Sequence, residues 1–122
     1  MKVLLVDDEE ELVATLAERL SFRGVEAKWS TEGQDAVDLT KHESFDVVVL
    51  DVKMPHLNGI QLKKKLERIR PEMKFVFLTG HGSEEDFRIG SAEADRYLAK
   101  PLDIDALVAT LMEVVSHDDN EC

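Results

Sequence analysis

Cysteine is all but missing from this chain: there is one, Cys122, at the last of 122 positions. A lone thiol excludes an intrachain disulfide, and such low cysteine usage fits a reducing compartment. Long apolar runs are missing too. A bilayer span needs about 20 apolar residues in a row, and Met1 leads straight into the strand-like KVLLV instead of a leader sequence. A soluble, cytoplasmic protein with no membrane partner is expected. Basic charge is scarce, with 15 Lys/Arg against 26 Asp/Glu and a formal net charge of −11. Polyanions favour basic surfaces, so direct nucleic-acid binding is not expected. The chain has no internal repeat, low-complexity tract or Gly/Pro/Ser linker, and no G-x-x-x-x-G-K-[ST] loop. His42, His56 and His117 have no partners at metal-ligand spacing and read as surface residues.

What is present is a globular composition, 43% apolar and 34% charged, in a length that suits one domain over residues 1–122. The charge is uneven: residues 51–75 hold seven Lys/Arg against three Asp/Glu. This basic island (Lys63, Lys64, Lys65, Arg68, Arg70, Lys74) reads as the solvated face of one helix. Short apolar runs alternate with amphipathic stretches. Strands are predicted at Val3–Val6, Val25–Trp29, Val47–Leu50, Phe75–Leu78 and Tyr97–Ala99. Helical spacing links Leu12, Leu16 and Leu20; Leu62, Leu66 and Ile69; and Ile104, Leu107, Val108, Leu111 and Val115. Met112 and Val114 widen the last stripe, either as core edge or as a partner-binding patch. Cap signals stand at Thr31 with Gln34, Asn58 with Gln61, and Ser83 with Asp86, and Gly24 and Gly33 fall where turns are needed. Five βα units result. They predict an α/β fold, a (βα)5 flavodoxin-like three-layer sandwich with a five-stranded parallel sheet in the order 2-1-3-4-5.

In such sheets ligands bind beyond the carboxyl ends of the strands. Asp7 and Asp8 follow the first strand, Asp51 the third, Thr79 the fourth, and Lys100 with Pro101 the fifth. Alone, each has an ordinary reading. The aspartates suit a helix cap, Thr79 a turn hydroxyl, and Lys100-Pro101 the end of a strand. Together they place three carboxylates, a hydroxyl and an ammonium at one edge. Crowded carboxylates repel, and a divalent cation relieves them; hard oxygen ligands favour Mg²⁺, or Mn²⁺, over zinc. Lys100 and Thr79 then suit a phosphoryl group, and a carboxylate can itself be the nucleophile, forming an acyl phosphate.

With these residues in view, the whole chain resembles the response-regulator receiver domains of two-component signalling (CheY-like). The similarity rests on LLVDDE at residues 4–9, VVLDVKMPHLNG at 48–59, FLTGHG at 77–82 and YLAKP at 97–101. The resemblance implies that Asp51 is the phosphoacceptor. It implies that Asp7, Asp8, Asp51 and the main-chain carbonyl of Lys53 hold Mg²⁺, and that Lys100 pairs with the phosphate. Thr79 and Tyr97 are then the switch, with the peptide before Pro101 cis. Phosphorylation would shift the face built from the fourth helix, fifth strand and fifth helix. Lys53 and His81, each two residues beyond a signature residue, would rim the phosphoryl group and set the dephosphorylation rate. Otherwise Tyr97 is a half-buried strand aromatic, and Lys53 and His81 are exposed loop residues. Implied partners are a sensor histidine kinase or phosphotransfer protein, and a downstream protein target or a missing output domain. Glu93-Ala94 stands where receivers usually have Gly-Ala, so the fourth helix is expected to stop differently.

Three rival readings are weighed at this stage. A receiver-like scaffold, regulated by contacts without phosphorylation, should lack one of the five site residues, and none is missing. An aspartate-nucleophile phosphatase of the haloacid-dehalogenase type wants a second aspartate two residues after the first, where this chain has Lys53. An FMN binder would want a Ser/Thr/Gly-rich loop after the first strand, where this chain has DDEEE. The domain is expected to act as a signalling phosphoacceptor rather than an enzyme, taking part in its own phosphorylation and dephosphorylation.

Overall fold

Strands β1 (Lys2–Val6), β2 (Glu26–Ser30), β3 (Val47–Asp51), β4 (Lys74–Thr79) and β5 (Arg96–Ala99) form one sheet. Every pairing is parallel, in the order β2-β1-β3-β4-β5. The computed structural model describes residues 1–54, 57–79, 95–100 and 102–119, without the side chains of Lys53, Met54, Leu57 and residues 117–119. Helices α1 (Glu10–Phe22), α2 (Gly33–His42), α3 (Gly59–Ile69) and a C-terminal helix (Ile104–Asp119) accompany the sheet.

Strand alternation sorts the core into two layers. Val3, Leu5, Val47, Val49, Val76 and Leu78 point to one face, where α1 (Leu16, Leu20) and the C-terminal helix (Leu107, Leu111) cover them. Leu4, Val6, Val48, Leu50, Phe75 and Phe77 point to the other, against Ala36 of α2 and Leu62 and Leu66 of α3. The three-layer arrangement and the strand order are those expected from the sequence. β3 is buried along its whole length, as its unbroken apolar run requires when helices lie on both faces. Val114 is buried and Met112 is half exposed, so the C-terminal helix uses the first for its core and not the second.

Local signals fare unevenly. Asn58 caps α3 as expected, its side-chain oxygen accepting the Ile60 N–H at 2.8 Å. Thr31 does not cap α2. Glu32 is the cap residue, without a side-chain bond, and Gln34 donates to Asp38 one turn on instead of reaching back. The reason lies one residue earlier: buried Ser30 bonds the main chain of Glu32 in both directions, which moves the helix start on to Gly33. Gly33 is thus helical, whereas Gly24 takes φ 80° in a turn, a conformation L side chains rarely adopt. The basic island is not uniformly solvated either. Lys63 is largely covered, its ammonium 5.7 Å from the Phe75 ring centroid and 3.2 Å from Glu67, and Arg70 donates to the Thr40 carbonyl, tying α3 to α2. The Ser83–Asp86 cap signal and Glu93-Ala94 lie outside the described residues.

Candidate functional site

The register of the sheet sets which chain ends meet. Val6 lies beside Leu50, Asp51 beside Leu78, and Thr79 beside Ala99. Asp7, Asp51, Thr79 and Lys100 therefore leave adjacent strands at one carboxyl edge, and the Lys100 N–H donates to the Thr79 carbonyl at 2.8 Å. Continuing the alternation of each strand, Asp7 and Asp51 fall on the α1 side of the sheet. Thr79 and Tyr97 fall on the side of α2 and α3, where half-buried Tyr97 packs with the second core layer. The site straddles the edge.

Asp51 is held there by more than its strand. The Val52 N–H donates to the Leu78 carbonyl at 3.0 Å, and the Gly59 N–H donates to the Val52 carbonyl at 2.9 Å. Lys53–Met54 pairs antiparallel with Leu57–Asn58, folding the chain back so that α3 begins against the end of β3. Gly59 is the contact point. A Cβ there would sit 2.3 Å from the main-chain oxygen of Asp51 and 2.9 Å from Cα of Val52. The glycine eight residues after the aspartate is therefore a space requirement, which spacing alone did not explain.

Charge collects at this edge with little water to screen it. Asp7 is fully buried, Asp51 is 5% exposed and Thr79 is 3% exposed, while Asp8 is open to solvent. Oxygens of Asp7, Asp8 and Asp51 all lie within 4.8 Å of one another. Lys100 inserts its ammonium among the acids, 2.6 Å from Asp7 Oδ2, 2.9 Å from Glu9 Oε1 and 3.5 Å from Asp51 Oδ2. Partial burial by itself would lower the lysine pKa. The 2.6 Å contact with Asp7, the hydrogen bond to Glu9 and the charges of Asp51 and Asp7 outweigh that, and the pKa is raised. Lys100 is therefore protonated at neutral pH.

Glu9 is the residue that sequence reasoning missed. It lies within the acidic run after β1, but nothing in its spacing marks it out from Glu10 and Glu11. The aspartate pair does not act as a simple helix cap. Asp7 Oδ1 accepts the Glu9 N–H at 3.0 Å, and Glu9 is the cap residue of α1 without a side-chain cap bond. His81, Pro101 and His56 lie outside the described residues, as does the Lys53 side chain.

The donor set fits a hard divalent cation. Three carboxylates converge, one of them open to water, and buried Asp7 Oδ2 has no hydrogen-bond donor of proper geometry among the described residues, only the close ion pair with Lys100.

Comparison with known proteins agrees with this architecture. The family described as response regulator receiver domain matches residues 3–112. The chain belongs to that family, a class of signalling domains. The transcriptional regulatory protein CpxR of Escherichia coli (strain K12) is 38% identical over 115 residues, covering 93% of this chain and 49% of that protein. Response regulator MprA of Mycolicibacterium vanbaalenii is 33% identical over 112 residues, covering 91% of this chain and 48% of that protein. The chain thus spans about half the length of these curated relatives. Among solved structures, a CheY-like response regulator receiver domain protein from Methanospirillum hungatei superposes with a TM-score of 0.89. It is 27% identical and covers 99% of this chain and 98% of its own. A response regulator protein from Burkholderia pseudomallei, solved with a phosphorylated aspartic acid, a calcium ion and citrate, gives a TM-score of 0.83. It is 28% identical and covers 98% of this chain and 71% of its own. Among the described residues no helix is long and apolar enough to cross a membrane.

Proposed function

We propose that this receiver accepts a phosphoryl group on Asp51, from the phosphohistidine of a sensor kinase or phosphotransfer protein, and passes the signal to a downstream protein or output domain. The observation that carries this reading is the burial of Asp51 at the sheet edge, 3.5 Å from the Lys100 ammonium and within 4.8 Å of two further carboxylates. A carboxylate so placed is held rigidly and shares the Lys100 ammonium with neighbouring acids, two conditions that suit a positioned nucleophile.

The transfer is an in-line displacement. An Asp51 carboxylate oxygen bonds to phosphorus as the phosphorus–nitrogen bond to the donor imidazole breaks, and the leaving nitrogen keeps the electron pair. Lys100 meets the negative charge gathered on the phosphoryl oxygens, and the Thr79 hydroxyl donates to one of them. Asp7, Asp8, Asp51 and the Lys53 carbonyl would hold Mg²⁺, which supplies charge neutralisation of the transferring group. Water later attacks the phosphorus, releasing inorganic phosphate and restoring Asp51, and Lys53 and His81 would govern its approach.

Signalling would follow from the split across the edge. Thr79 engages the phosphoryl group from the α2/α3 side, and Tyr97 on the same side turns inward behind it. The resulting population shift acts on the surface around β5 and its flanking helices. The negative charge of the chain supports a protein target for this domain rather than direct nucleic-acid contact.

Acetyl phosphate with and without Mg²⁺ tests the reading by intact mass. A gain of one phosphoryl group in the parent with Mg²⁺, and none in Asp51→Asn, is expected. Phosphorylation at another residue, or none in the parent, would overturn it.

A further inference from the structure

The ammonium of Lys100 has three N–H donors and three carboxylate neighbours, Asp7, Glu9 and Asp51. All three surround the ammonium before any phosphoryl group is present, and the contact with Glu9 is the one that forms a hydrogen bond. Glu9 closes a ring around it: the Glu9 N–H donates to Asp7 Oδ1, Asp7 Oδ2 contacts Lys100 Nζ, and Lys100 Nζ donates to Glu9 Oε1. Lys100 sits closer to Asp7 and Glu9 than to Asp51, so for it to move onto a phosphoryl oxygen on Asp51 those two contacts have to loosen. Asp7 is buried, but Mg²⁺ held by Asp7, Asp8 and Asp51 would compensate it; Glu9 lies outside that set, so its hydrogen bond is the hold that would remain. The Glu9 side chain is 61% exposed, so water replaces the lysine there at small cost.

We propose that Glu9 is a positioning residue that holds the Lys100 ammonium at rest and releases it when a phosphoryl group arrives on Asp51. The proposal rests on the reading of Asp51 as acceptor. Glu9 sets a threshold against anion binding at the site.

Beryllofluoride, titrated at saturating Mg²⁺ into the parent, Glu9→Gln and Glu10→Gln and followed by fluorine NMR of the bound species, tests this. Glu10 lies in the first turn of α1, so Glu10→Gln removes the same charge from that turn. Glu9→Gln is expected to bind roughly two- to fivefold tighter than the parent, the range of an exposed ion pair, while Glu10→Gln matches the parent. Binding unchanged or weakened in Glu9→Gln would overturn the proposal. So would an equal gain in Glu10→Gln, which would reduce the effect to general charge. A parent that fails to bind at Asp51 overturns the acceptor reading and the hold together; a binding parent with an unaltered Glu9→Gln removes only the hold.

Discussion

The two ends of the parallel sheet carry the same kinds of charge in opposite settings. At the amino end, Lys2 bonds Glu43 and lies 3.6 Å from Glu26, while Lys28 also bonds Glu43. Two lysines face two glutamates there, and all four side chains reach water. At the carboxyl end Lys100 is set among Asp7, Glu9 and Asp51, with Asp8 beside them, and the central acids are shut away. The amino end is balanced and complete in itself. Among the described residues the carboxyl end carries more buried negative charge than Lys100 alone balances, a setting that favours an added cation. Burial and charge balance, rather than the presence of ion pairs, separate the end that stabilises the fold from the end that binds.

The strongest way to break this contrast is to disturb the packing that keeps the carboxyl end rigid. Gly59→Ala puts a methyl group 2.3 Å from the Asp51 carbonyl, against backbone that has no rotamer to yield. A loss of about 1–3 kcal/mol is expected from such overpacking, with weakened phosphorylation as Asp51 shifts. Urea unfolding with an acetyl phosphate assay on the same samples measures both. Normal stability and normal phosphorylation together would show that α3 can retreat without moving the acceptor.

A second test sharpens the contrast through the cation. Mg²⁺ at a hundredfold over its dissociation constant stabilises a one-site protein by about 2.7 kcal/mol, and that rise in thermal midpoint is expected here. EDTA should reverse it. Asp8→Asn removes one of the mutually repelling carboxylates, so without metal it is expected to be as stable as the parent or slightly more so, and to lose most of the Mg²⁺ response. An Asp8→Asn protein that keeps the full response would move the metal site elsewhere.

Much of this arrangement is legible in the sequence because it follows from periodicity. Unbroken apolar runs such as Val47 to Leu50 mark strands, and a parallel sheet then forces the residues just beyond them to one edge. Asp7, Asp51, Thr79 and Lys100 are brought together by that logic alone. Side-chain commitments are harder to foresee. Ser30 wins the start of α2 from Thr31 through a local hydrogen bond, and Arg70 is drawn from the basic island by a carbonyl 30 residues away. Glu9 looks like its neighbours in sequence; its distinction arises from the direction in which α1 leaves β1, which points one glutamate at Lys100.

The smallest expected effect lies at the amino end, where Glu43→Gln tests whether the balanced network contributes at all. Hydrogen bonds from Lys2 and Lys28 hold the Glu43 carboxyl below its usual value of 4.5. A depressed carboxylate stabilises the fold above its unfolded pKa, and that contribution fades as pH falls through the folded value. Lys2 is raised above 10.5, chiefly by its bond to Glu43, so its part is present below that value and lost as pH climbs through the folded one. Between the two limits the network is intact. Glu43→Gln should therefore lower the urea midpoint slightly at about pH 7, and the difference should fade as pH falls through the depressed folded value and the parent carboxyl is neutralised too. Salt should narrow the difference at about pH 7, since these side chains are exposed. Phosphorylation should be unaffected at either salt level. A Glu43→Gln protein with altered phosphorylation would join the two ends of the sheet into one unit and end the contrast between them.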